Sequence, residues 1–235
     1  MCGRYRLTAK ERYIAEHFGV DEAEVHWSAR YNLAPTQEVA VIRQDRKEPK
    51  RHFSLMRWGL IPYWSKDASI AARTINAMAE TVAEKPTFRD AVRKNRCLIP
   101  ADGFYEWKKL GAKEKQPYNI GMRDDGLFAF AGLWDRWKTP GGDIWETCSV
   151  ITTDANSLLQ PIHTRMPVIL KPEDYDSWLD PGIQDPVRVE DLLKPFDAQR
   201  MKIYPLSSRV SNVNNDDPEC IREVPPAAEA APMLF

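Results

Sequence analysis

Apolar residues along this chain cluster in short strand-like runs set apart by polar and turn-forming segments. Runs rich in β-branched and aromatic residues start at Val39 (VAVIR), His52 (HFSLMRWGLI), Arg96 (RCLIPADGFYEWK), Leu127 (LFAFAGLWD), Thr147 (TCSVITT) and Arg165 (RMPVIL), and such runs are predicted to be strands. Two stretches read instead as helices: an amphipathic one from Ala9 to Phe18, and one from Ala77 to Glu84, ending before Pro86, which cannot continue it. Asp124-Asp125-Gly126 and Thr139-Pro140-Gly141-Gly142 carry turn chemistry and are expected to join neighbouring antiparallel strands. Strands and helices do not alternate regularly, which disfavours a doubly wound parallel sheet. The expected architecture is α+β, with a mainly antiparallel, closed or nearly closed barrel or sandwich and peripheral helices. No internal repeat is visible. The closing VPPAAEAAPMLF has little to bury and is expected to be a loosely held tail, residues 223–235, after a single domain over residues 1–222.

Composition narrows the function classes. The 235 residues are 43% hydrophobic and 29% charged, as in ordinary globular proteins. No apolar run reaches the roughly 18–20 residues that span a bilayer. The start, MCGRYRLTAKERY, lacks the apolar centre of a secretory signal, so a cytoplasmic location is expected. A net charge of −1 means that nucleic-acid binding would need a local basic patch. Cys2, Cys97, Cys148 and Cys220 lie far apart, without the close pairs of zinc sites or redox motifs, so neither a metal nor a disulfide framework is expected, and no cofactor is implied.

The chemistry begins at Cys2. A residue this small after Met1 permits removal of Met1, which leaves an α-amine and a thiol on one carbon framework. Their reference pKa values, about 7.7–8.0 and about 8.5, make both partly nucleophilic near neutral pH. The amine attacks an aldehyde to give a Schiff base, and the thiol then closes a five-membered thiazolidine. Position alone equally fits a small buried residue at a chain end.

An opening Met-Cys-Gly also fits class II glutamine amidotransferases, which hydrolyse an amide with an N-terminal cysteine. The blocks further on separate the two. YNLAPTQ from Tyr31, RWGLIPYWSKD from Arg57, TINAMAET from Thr74, RCLIPADGFYEW from Arg96, FAGLWD from Phe130, SVITTDAN from Ser149 and IHTRMPVIL from Ile162 closely resemble the SRAP (SOS-response-associated peptidase) family, in order, to about Val210. The resemblance implies a single SRAP-type domain with a barrel-like β core. It also implies an active site around the mature N-terminal cysteine and the shielding of abasic sites in single-stranded DNA by a thiazolidine crosslink. The implied partner is single-stranded DNA containing abasic sites. Replication-fork components are candidate partners, the chain is expected to be a monomer without a membrane, and a bacterial location would be at the nucleoid.

By the same resemblance, Cys2 matches the family's nucleophile, Asn76 its active-site asparagine and Glu106 its acid/base glutamate. Asn76 could equally be a helix N-cap, and Glu106 a surface residue of an alternating strand. His163, in IHTRMP, is the only histidine within a family block and a candidate second proton carrier, against the alternative of a structural histidine. Arg4 and Arg165 are candidate phosphate contacts or internal salt-bridge partners. Trp64 and Trp107 are candidates for stacking beside the lesion or for the core, while Asn32 and Pro35 are expected to shape the loop that bounds the site. One departure stands out: Met78 occupies the place, two after Asn76, where the family commonly carries arginine, so that a phosphate contact is missing unless Arg73 or Arg89 supplies it. Three classes follow: covalent abasic-site capture with self-processing of Met1, an N-terminal-nucleophile peptidase or amidohydrolase, and a non-catalytic single-strand binder.

Overall fold

The apolar runs become strands, as the computed structural model shows over the residues it describes: 2–44, 49–111 and 114–227. In chain order the strands are β1 (Tyr5–Leu7), β2 (Arg30–Leu33), β3 (Glu38–Gln44), β4 (Arg51–Trp58), β5 (Asn76–Met78), β6 (Arg96–Ala101), β7 (Gly103–Lys109), β8 (Lys115–Met122), β9 (Phe128–Lys138), β10 (Ile144–Asp154), β11 (Arg165–Pro167), β12 (Ile169–Leu170) and β13 (Met201–Pro205). The α-helices are short: α1 (Glu11–Phe18), α2 (Arg89–Lys94) and α3 (Tyr175–Leu179). Gly19 ends α1 in the left-handed region at φ 63°, and its N–H returns to the Ala15 carbonyl.

Five strands close on themselves. β4 pairs with β3, β3 with β6, β6 with β9 and β9 with β10, all antiparallel, and β10 returns to β4. That last pairing is parallel and brief, with Thr147 opposite Arg57 and Cys148 opposite Trp58. Beyond this seam β10 receives β5 in parallel and then β11 antiparallel, while β12 joins β9. A second, wholly antiparallel sheet runs in the order β13, β8, β7, β1, β2. One face of it joins the barrel core, where Tyr5 stands edge-on to Trp58 and Phe130 with ring centroids 5.4 and 5.5 Å away. The opposite face buries Tyr105 with Leu206, Val210 and Cys220, so short 3-10 turns near the C-terminus cover it. Closure leaves the ring strands no free sheet edge except where the seam parts, which explains the near-continuous apolar runs of β6 and β9. Truncating a wholly buried ring such as Trp58 to alanine would cost about 3–5 kcal/mol.

The expected α+β barrel with peripheral helices is present, but three details differ from the sequence reading. Residues 77–84 are not a helix: Asn76, Ala77 and Met78 form β5, paired with Val150, Ile151 and Thr152, and only a 3-10 turn, Ala79–Thr81, follows. Pairing with β10 overrides the local helical preference, and with it goes the reading of Asn76 as a helix cap. Asp124-Asp125-Gly126 joins β8 to β9, which lie in different sheets, whereas Thr139–Gly142 does link the antiparallel pair β9 and β10. The start of the expected tail is tied down. Glu223 bridges to Leu206, Val224 N–H donates to the Pro205 carbonyl and Ala227 N–H to Gln116 Oε1; residues 228–235 lie outside the described part. No helix among the described residues is long and apolar enough to cross a membrane.

Candidate active site

Cys2 lies just ahead of β1 and is completely buried. Its Sγ donates to the Arg4 carbonyl at 3.8 Å. Burial pushes the thiol far above its ordinary range, and the negative charge of Glu106 pushes it further, so the proton stays on sulfur. The Cys2 carbonyl accepts a hydrogen bond of 2.8 Å from Asn76 Nδ2. β5 is what aims that amide, because its pairing with β10 fixes Asn76 opposite Val150. Asn76 Oδ1 is buried and accepts no hydrogen bond among the described residues, which leaves one acceptor for an amine or a hydroxyl.

Glu106 sits on β7, in the same sheet as β1, and is only 4% exposed. Strand alternation gives it the face of Phe104, which is in the barrel core, while Tyr105 and Trp107 belong to the outer cluster. Burial raises its carboxyl, opposed by the charge of His163 and by the backbone N–H of Trp107. A buried carboxyl held above its usual range is suited to proton transfer near neutral pH. His163 lies in the connection from β10 to β11, with Nδ1 2.9 Å from the Arg165 backbone N–H. The same Nδ1 lies 3.2 Å from the Arg165 carbonyl, so the Arg165 backbone fixes the orientation of the ring. Cys2, Asn76, Glu106 and His163 are thus gathered at one place: Asn76 hydrogen-bonds the Cys2 carbonyl, the charge of Glu106 acts on the Cys2 thiol and that of His163 on Glu106.

The DNA-binding candidates divide into two groups. Arg4, Asn32 and Trp107 form an internal cluster. Arg4 Nη1 donates to Asn32 Oδ1 at 2.8 Å and to the Val210 carbonyl at 2.9 Å, with its guanidinium carbon 5.8 Å from the Trp107 ring centroid. Asn32 Nδ2 reaches the carbonyls of Val210, Asn212 and Asn215 at 3.1, 3.0 and 2.7 Å, and Trp107 Nε1 donates to Ser211 Oγ at 3.0 Å. Asn32 therefore holds the 210–215 segment against β2. Pro35 precedes Thr36, whose φ of 75° lies in the left-handed region that favours glycine, in the turn between β2 and β3.

Trp64 is exposed, next to exposed Tyr63. Their loop is pinned to the barrel: Tyr63 N–H donates to Asp135 Oδ2 at 2.9 Å, Ile61 N–H to Thr147 Oγ1 at 2.8 Å, and Trp137 Nε1 to the Ser65 carbonyl at 2.7 Å. Arg165 is engaged by Glu80, Asp154 and the Thr152 carbonyl. Met78 is partly exposed beside them. Asp135 and Glu80 are missed by sequence reasoning although both lie in family blocks, because each partner is remote in sequence and no local spacing marks it. Among the described residues, no group of three or more His, Cys, Asp or Glu side chains gathers as a metal site.

Known proteins resemble the chain over most of its length. The sequence model of the family described as SOS response associated peptidase (SRAP) matches residues 1–213. Abasic site processing protein YoqW of Bacillus subtilis (strain 168) is 46% identical over 225 residues, covering 94% of this chain and 99% of that protein. Abasic site processing protein HMCES of Mus musculus is 33% identical over 227 residues, covering 81% of this chain and 64% of its own length. The crystal structure of a protein from Bacteroides thetaiotaomicron superposes with a TM-score of 0.84 at 31% identity, over 95% of this chain and 100% of that one.

Proposed function

Because the chain belongs to the SRAP family, we propose that it acts on abasic sites in single-stranded DNA and shields them as a covalent thiazolidine crosslink to Cys2. Supporting the reading most directly is the hydrogen bond from Asn76 to the Cys2 carbonyl, with Glu106 close enough for its charge to act on the thiol. Relatives whose names say that they process abasic sites, including one at 46% identity, supply the substrate class.

The chemistry follows from the groups present. Removal of Met1, a self-processing step assisted by Glu106 and Cys2, frees the Cys2 α-amine. Protonated Glu106 donates to the ring oxygen of the closed abasic sugar, which opens to the C1′ aldehyde. The amine adds to C1′, and the carbinolamine loses water to give an imine. Sγ then adds to the imine carbon, its proton passes to nitrogen, and the five-membered ring closes. Asn76 Oδ1 accepts from the amine or from a sugar hydroxyl, and His163, whose charge acts on Glu106, serves as second proton carrier. A thiol kept protonated by burial favours attack by the amine first over thiolate-first amide hydrolysis. Trp64 is an exposed aromatic on which a flanking base can stack.

The test is a denaturing gel of the processed protein with single-stranded oligonucleotides that do or do not contain an abasic site. A heat-stable band is expected only with abasic DNA. It is expected to vanish when a residue precedes Cys2, because the amine has become an amide. Undiminished crosslinking by a verified, N-terminally extended protein would overturn the mechanism.

A further inference from the structure

Arg165 stands at the rim of the site, on β11, and its hydrogen bonds are already spent. Nη1 donates to Glu80 Oε1 at 2.7 Å and to Asp154 Oδ1 at 2.8 Å; Nη2 donates to Glu80 Oε2 at 2.9 Å and to the Thr152 carbonyl at 2.7 Å. The two terminal nitrogens carry four hydrogens, and each has an acceptor. The remaining donor, Nε, is buried. A phosphate approaching this guanidinium finds both terminal nitrogens engaged, with only the buried, unpartnered Nε–H left over, and meets two carboxylates around one positive charge.

The partners differ in how easily they can leave. Thr152 belongs to β10, inside the barrel wall, and its carbonyl cannot withdraw. The Glu80 and Asp154 side chains are 45% and 80% exposed, against 13% for Arg165, so both carboxylates stand on the solvent side. Glu80 holds the guanidinium by the two-pronged geometry that a phosphate would also adopt. It is four residues after Asn76, on the same segment as Met78, which faces Thr152 across β5 and β10.

We propose that Glu80 occupies Arg165 in place of a DNA phosphate in the free protein, and that the strand must displace it to engage this rim. The proposal rests on the abasic-DNA reading above. Glu80 then acts through Arg165 and limits affinity without touching the lesion. An apolar Met78 adds no positive charge to offset the carboxylates, so exchange at Arg165 governs phosphate binding on this side.

The experiment measures binding of an intact single-stranded oligonucleotide across a salt series for the parent and for Glu80→Gln. The variant keeps the side-chain shape and loses the charge. It should bind about three- to tenfold more tightly at low salt, the worth of about one solvent-exposed ion pair, and its salt slope should steepen by about 0.7. Adding Arg165→Gln should abolish both effects, which a merely structural role for Glu80 would not require. Asp154→Asn should tighten binding in the same direction by less, and it supplies the reading should Glu80→Gln fail to fold. Equal or weaker binding with an unchanged slope in the folded variants would overturn the proposal. Crosslinking of the parent to abasic DNA, run alongside, tests the underlying function separately: its failure leaves the comparison on intact DNA valid.

Discussion

Replacing Glu106 by glutamine separates its proton from its shape. The carboxyl is almost wholly buried and is raised by that burial, against the opposing charge of His163. A carboxyl whose folded value lies above its unfolded one, about 4.3, stabilises the fold at low pH, and this stability is lost as pH rises through the folded value. Glutamine does not titrate. Glu106→Gln should therefore become more stable relative to the parent as pH rises from about 4 to about 9, by about 1.4 kcal/mol for each tenfold difference in proton affinity between the folded and unfolded carboxyl. In a domain of this size, 1 kcal/mol moves the melting temperature by about 2–4 °C, so a thermal melt at several pH values resolves the trend. Titrating groups remote from Glu106 are common to both proteins and largely cancel in the difference. The same variant should crosslink about 10²–10⁴-fold more slowly, the usual contribution of a positioned acid or base. A melting difference that is constant with pH would refute the raised carboxyl, and a parental crosslinking rate would refute its role as proton carrier.

Cys2→Ala should abolish crosslinking, whereas Cys2→Ser keeps the amine and should give an imine that borohydride traps, without the heat-stable product. A stable untrapped crosslink from Cys2→Ser would exclude the thiazolidine. Met78→Arg should tighten single-stranded DNA binding and steepen its salt slope by about 0.7, with crosslinking at saturating DNA little changed; an unchanged slope would show that position 78 does not face phosphate.

The barrel is legible in the sequence because β3, β4, β6, β9 and β10 each carry the apolar run of a strand buried in a closed sheet. The 77–84 segment misleads for the converse reason. Its alanines and glutamates favour a helix locally, and only the edge of β10 makes Asn76–Met78 a strand. Within the site, Cys2 announces itself by position and Asn76, Glu106 and His163 by their blocks, but what each touches depends on pairings that span most of the chain. Arg165 shows the limit most clearly: its ties to Glu80 reach across 85 residues, and no periodicity encodes them.

The parallel seam between β4 and β10 bears on when the candidate site is assembled. β10 completes the ring at Thr147 and Cys148, then two residues later receives Ile75 and Asn76, with Val150 N–H donating to the Ile75 carbonyl at 3.1 Å. The strand that shuts the barrel is therefore also the template that sets the amide facing Cys2, and it is made well over a hundred residues after that cysteine during synthesis. A nascent or partly opened chain carries the cysteine without the partner that orients it. Pairings so distant in sequence form late and at high entropic cost, so the hydrogen bond from Asn76 to the Cys2 carbonyl is set only as the ring closes.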